Sequence, residues 1–120
     1  MAHARRIDII DETYVRAAPA PVRAWLDRPG TERAVWPHLR LEVVRDRGLK
    51  GLRWRVSGQV AGEMEVWLEP FWDGVIVHHY LRAEPARGAP ADVAQRHRLR
   101  WKQAVHALKD ALEATTAPTG

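Results

Sequence analysis

Apolar residues recur with two different periods along this chain, and the change of period divides it. From Ala91 to Ala114 they return every third or fourth position, at Ala94, Trp101, Ala104, Val105, Leu108, Ala111 and Leu112. Arg96, Arg100, Gln103, Lys109, Asp110 and Glu113 occupy the opposite side. That spacing predicts one long amphipathic helix. Pro90 just before it and Asp92 in its first turn suit a helix N-terminus, where a fixed φ and negative charge are favoured. His97 breaks the pattern, one turn before Trp101 on the apolar side, with Arg98 at the edge of that side. Burying a polar ring is costly unless it has a hydrogen-bond partner. So His97 is either satisfied inside the fold or borders a cavity.

Upstream the period is two. Leu39, Leu41 and Val43 alternate with Arg40 and Glu42; Leu52, Trp54, Val56 and Val60 alternate with Arg53, Arg55, Ser57 and Gln59. Met64, Val66 and Leu68 then alternate with Glu63, Glu65, Trp67 and Glu69, and Val75, Val77, His79 and Leu81 with Ile76, His78, Tyr80 and Arg82. Each run reads as a half-buried strand. Turns are expected at 46–51, at Gly62 and at 70–74, the last around Asp73-Gly74.

A further strand is expected over 6–16, where the alternation lapses at Ile9-Ile10 and leaves room for a bulge. The prolines at 19 and 21 end it and open a short helix over 22–27, stopped by Pro29-Gly30. Thr31 is placed to cap a second short helix over 32–35, closed by Trp36-Pro37. The predicted class is α+β: a short curved antiparallel sheet of about five strands, two short helices, and a long C-terminal helix on its concave face. Only the long helix is big enough to cover the sheet.

The 120 residues suit one domain, 1–120, with its core over about 6–114. No cysteine is present, which excludes disulfides and thiolate metal sites. The N-terminal residues lack the apolar run of a signal peptide, and no stretch reaches the length of a membrane span. A cytoplasmic protein is expected, with a frayed tail over 115–120. The net charge is +4, but Lys and Arg are interleaved with Asp and Glu throughout, which argues against nucleic acid as the partner.

Three segments carry a resemblance. Tyr14-Val15-Arg16-Ala17-Ala18-Pro19 leads into Val22 and Trp25, Leu68-Glu69-Pro70-Phe71-Trp72-Asp73-Gly74 forms a late hairpin, and the long helix ends near Leu112-Glu113. In this order they resemble the START-like helix-grip superfamily (SRPBCC), which includes plant pollen-allergen proteins and bacterial polyketide cyclase/dehydrase-like proteins. The resemblance implies a pocket for a small hydrophobic ligand (lipid, aromatic or polyketide-like) between sheet and helix. The family has about seven strands and this chain about five, so the pocket is expected to be smaller, open on one side, or completed by a second subunit in a homodimer.

If the apolar strand sides face the helix, the pocket is lined by Trp54, Val56, Val66, Leu68, Val77 and His79 from the sheet, and by Ala94, His97, Arg98 and Trp101 from the helix. The function expected first is ligand binding. A cyclase or dehydratase activity is the alternative, with His79 or His97 moving a proton beside a carbonyl. A protein-interaction module is the third, through the exposed faces of Trp67 and Trp72. The ordinary alternative for both histidines is a satisfied core or rim position. His78 and His79 are adjacent in a strand and point to opposite faces, so they do not chelate one metal. No HExxH or close ligand cluster is present; no metal and no cofactor is expected.

Overall fold

The computed structural model describes residues 6–116; the expectations for the segment before Arg6 and for the tail beyond Thr116 lie outside it. The elements are β1 (Ile7–Val15), α1 (Pro19–Asp27), α2 (Thr31–Val35), β2 (Leu39–Asp46), β3 (Gly51–Gly58), β4 (Val60–Phe71), β5 (Gly74–Pro85) and α3 (Pro90–Thr116). A single 3-10 turn over Gly48–Lys50 joins β2 to β3. The strands form one antiparallel sheet in the order β1-β5-β4-β3-β2. This is the helix-grip α+β architecture that the two periodicities predict.

The period-two runs of β3, β4 and β5 sort as expected, whereas in β2 Leu39 and Leu41 are only half-buried and Val43 is exposed, because no element covers that edge closely. Leu52, Trp54, Val56, Met64, Val66, Leu68, Val75, Val77, His79 and Leu81 are all buried on the inner face. β1 adds Ile7, Ile9, Thr13 and Val15 to it, and its register with β5 runs unbroken past Ile9-Ile10, with Ile10 turned to solvent. The bulge sits instead in β2, between Val43 and Arg45.

Cover of the inner face departs from expectation. α3 packs on β1 and β5 and touches α2, so it covers one side of the sheet. The remainder is closed by α1 and α2, which bury Val22, Trp25, Leu26, Val35 and Trp36. Two short helices suffice because two tryptophans give them large apolar area. Arg23 ties α1 down: it bonds Asp27 at 2.8 Å, Asp46 at 3.0 Å and the Gly48 carbonyl at 2.7 Å. On α3, Val93, Ala94, Trp101, Val105 and Leu108 are buried, whereas Ala111 is exposed.

Several local expectations change. The β3–β4 turn lies at Gly58-Gln59, with Gly58 at φ 105°, and not at Gly62, which lies inside β4, so Val60 opens β4 instead of ending β3. α3 runs on through Thr115 and Thr116, where a frayed tail was expected. α2 begins at Thr31 after Gly30, and the Thr31 hydroxyl donates to the Trp25 carbonyl at 2.8 Å, joining the two short helices instead of capping one. The β4–β5 hairpin turns through Trp72-Asp73, with Trp72 at φ 54°. Gly74 is the first residue of β5, and glycine stands there because a Cβ would lie 2.3 Å from the Val15 carbonyl oxygen.

Candidate functional site

The inner face carries one concentration of polar rings among aromatic ones. His79 is fully buried at the centre of β5. Its Nδ1 lies 3.1 Å from the Glu65 carbonyl oxygen, and its Nε2 lies 2.8 Å from Nε2 of His97 on α3. A carbonyl only accepts, so Nδ1 of His79 carries its proton. Neutral His79 therefore presents a lone pair at Nε2, and Nε2–H of His97 donates to it. Nδ1 of His97 is left as the pair's basic atom. Burial pushes His79 down to about 3, helped by the neighbouring His97. Burial, then the charges of Arg100 and Arg98, push His97 down to about 4. Both rings are neutral at pH 7.

Tryptophans surround the pair. Trp101 packs on His79 with ring centroids 4.3 Å apart. Trp36, at the C-terminal end of α2, lies nearly parallel to Trp101 at 6.0 Å, 5.3 Å from Trp54 and 5.8 Å from His79. Trp25 closes the outer side of Trp101 at 6.0 Å. Thus Trp36 fills the space between sheet and helix that the sequence pattern leaves for a pocket. The indole N–H groups of Trp36 and Trp54 are both buried without an acceptor among the described residues. An unpartnered buried donor costs about 1–3 kcal/mol, so these are two hydrogen bonds that the interior is able to give.

The expected lining residues divide. Trp54, Val56, Val66, Leu68, Val77, His79, Ala94 and Trp101 are brought together as buried inner-face residues. His97 is half-buried at their margin. Arg98 is exposed and stands outside the interior, acting on His97 only through its charge.

One residue carried no signal in the spacing of hydrophobic positions alone. Asp11 sits at a buried parity of β1, directly opposite His79. It accepts from the Trp101 indole at 3.0 Å and the Thr13 hydroxyl at 3.2 Å, and pairs with Lys102 at 2.8 Å. An acidic residue in phase with Ile7, Ile9, Thr13 and Val15 was the available clue.

The opposite face of the sheet is charged. An open depression of about 680 Å³ there is lined by Glu12, Arg53, Glu65, His78, Tyr80 and Arg82, among others. Its charges largely satisfy one another: Arg82 bonds Asp8 at 3.1 Å, Arg53 and Arg47 bond Glu65, and His78 lies between Glu69 at 2.9 Å and Glu12 at 3.3 Å. Trp67 stacks on His78 at 4.2 Å, whereas Trp72 at the hairpin tip is 92% exposed. Size alone would favour this face, but its self-paired charges describe a solvated surface. Among the described residues no group of three or more metal-ligating side chains assembles. No described helix is long and apolar enough to cross a membrane.

No protein-family model and no curated protein matches the sequence. Solved structures do. The Aha1 dimer from Colwellia psychrerythraea is 17% identical with a TM-score of 0.67, over 89% of this chain and 96% of that one. DR_A0006 from Deinococcus radiodurans is 14% identical with a TM-score of 0.65, over 88% and 99%. The di-domain ARO/CYC StfQ from the steffimycin biosynthetic pathway is 12% identical with a TM-score of 0.60, over 97% of this chain and 54% of that one. At these identities the likeness is one of fold.

Proposed function

From the START-like helix-grip fold, we propose that this chain binds a small, flat, apolar molecule carrying a hydrogen-bond acceptor, between the sheet and α3. The ligand takes the place of the Trp36 ring. Trp54, Val66, His79 and Trp101 form its walls, and Val56, Leu68, Val77 and Ala94 complete the apolar lining. The carrying observation is the position of Trp36. It stands between Trp54 and Trp101 as the residue that ends a helix of only five residues, which starts after Gly30 and stops before Trp36-Pro37. Outward movement of so short an element opens a slot of aromatic thickness. An acceptor on the ligand then satisfies the Trp54 indole N–H, which has no partner among the described residues in the closed form. Such a site, mostly apolar with few polar groups, is the usual chemistry of small-molecule recognition. The description of StfQ as an ARO/CYC of a biosynthetic pathway supports a polycyclic aromatic or polyketide-like ligand.

A second reading is favoured by the histidine pair: proton transfer with His97 as base and His79 as its orienting partner. Its low basicity weighs against this. A base whose conjugate acid lies near 4 removes a proton from carbon poorly at pH 7. Binding is therefore the reading retained.

The test is native mass spectrometry of the purified chain before and after organic extraction. A bound aromatic or polyketide-like mass that extraction removes supports the reading. A bare chain that also takes up none of a panel of polycyclic phenols overturns it.

A further inference from the structure

Among the described residues, strand β2 ends the sheet, with β3 as its one strand neighbour and the only element packed extensively against it. Six of its eight residues are exposed. An uncovered strand edge of this length is a template for another strand.

Gln59 N–H donates to the His38 carbonyl at 3.1 Å, a single bond since the Gln59 carbonyl accepts from Ala86, and this sets His38 and Gln59 on the hydrogen-bonded parity of the ladder. Hydrogen-bonded pairs alternate along an antiparallel ladder. Arg40 opposite Ser57 and Glu42 opposite Arg55 are therefore the next ones, and their backbone groups turn toward β3. Leu39, Leu41 and Val43 turn theirs to the free edge, where the Leu39 N–H is already held by the Trp36 carbonyl at 3.2 Å.

We infer that this edge pairs with the same edge of a second copy of the chain, antiparallel, with Leu41 opposite its own counterpart. Charge selects that register. With Leu41 on the two-fold axis, Arg40 of each copy faces Glu42 of the other, and Leu39 faces Val43. Moving the axis to place Leu39 opposite Leu41 sets Arg40 against Arg40. Moving it to place Leu41 opposite Val43 sets Glu42 against Glu42. Like charges directly opposite are destabilising. The apolar match agrees: Leu39 and Leu41 already pack partly on the core, and Val43, 49% exposed, gains cover on the same face. The bulge after Val43 then ends the ladder. A match this short gives a weak, concentration-dependent dimer.

Sedimentation equilibrium of the full chain tests this. The mass should rise from 13.7 kDa toward twice that value as concentration increases. Arg40→Glu and Glu42→Lys should each weaken association roughly tenfold, since each sets two like-charge pairs across the axis. An equimolar mixture of the two variants should restore it, because both cross-pairs are then opposite in sign. The chain has no cysteine, so Leu41→Cys provides a second readout. Across the axis its Cα atoms stand about 5.5 Å apart, within disulfide range. Mild oxidation should link Leu41→Cys and leave Val44→Cys unlinked. A monomer at every concentration together with no cross-link at position 41 overturns the inference. So does a dimer indifferent to both charge reversals, or equal cross-linking at 41 and 44.

Discussion

His79 and His97 are joined Nε2 to Nε2 at 2.8 Å, and the Glu65 carbonyl behind His79 decides which ring donates. The pair spans the junction of β5 and α3, and the Trp101 indole on Asp11 makes a second polar link between the long helix and the sheet. Holding both rings neutral has a consequence for stability that can be signed.

Each histidine has a folded value depressed below its ordinary 6.5, to about 3 for His79 and about 4 for His97. The unfolded chain therefore binds more protons than the folded one between about pH 6.5 and these values. Stability is complete above 6.5 and falls as pH drops toward 4, by roughly 1.4 kcal/mol per unit for each proton taken up on unfolding. Urea unfolding from pH 7.5 to 4.5 measures this. His97→Gln should flatten the profile; an unchanged slope would show that this histidine is not the source.

Asp11→Ala should destabilise through the helix. It removes the acceptor of the buried Trp101 indole and the ion-pair partner of Lys102. An unpartnered indole N–H in the core costs about 1–3 kcal/mol. Asp11→Asn keeps an acceptor and should cost less. The midpoints of urea unfolding rank the two, and equal losses would contradict the role given to the carboxylate.

Gly51→Ala tests the start of β3. Gly51 has φ +119°, and a Cβ there would lie 1.9 Å from the Val66 carbonyl oxygen. Backbone gives way poorly, so a loss above roughly 2 kcal/mol is expected. Thermal unfolding reads it directly.

Trp36→Leu should separate stability from binding. Shortening a buried tryptophan lowers stability by up to about 3–5 kcal/mol, the range for a full truncation to alanine. In the proposed mechanism the ligand displaces this ring, so the variant should bind 2-naphthol more tightly than the native chain does. Calorimetric titration checks it; weaker binding would make Trp36 a wall of the site and not its plug.

Much of the fold is legible from alternation alone. A half-buried strand shows its burial in every second residue, and from Leu52 to Leu81 the large side chains of the inner parity sorted that way, with Gly58 exposed at the end of β3 and Gly62 half-buried in β4. The long helix was equally plain, since Trp101, Val105 and Leu108 are spaced for one face. What stayed hidden depends on tertiary placement. Periodicity says nothing about which part of a sheet a helix covers, so the share closed by α1 and α2 through Trp25 and Trp36 was out of reach. Hydrogen-bond partners far apart in sequence, such as Asp11 with Trp101 or His79 with His97, leave only a misplaced polar residue as their trace. His97 gave that trace through its position on an apolar helix face; Asp11 gave the same trace in β1. The turn at Trp72-Asp73 was shifted by one residue because Gly74 is required by close backbone approach, which a dipeptide signal does not distinguish from a turn.

The most direct test of the account follows the indole N–H signals of the six tryptophans by NMR during titration with 2-naphthol, a flat bicyclic molecule with one acceptor oxygen. The account predicts that the Trp36, Trp54 and Trp101 signals shift together and saturate, while Trp72 at the hairpin tip stays in place. Saturable shifts confined to Trp67 and Trp72, or no saturable shift at any tryptophan, would contradict it.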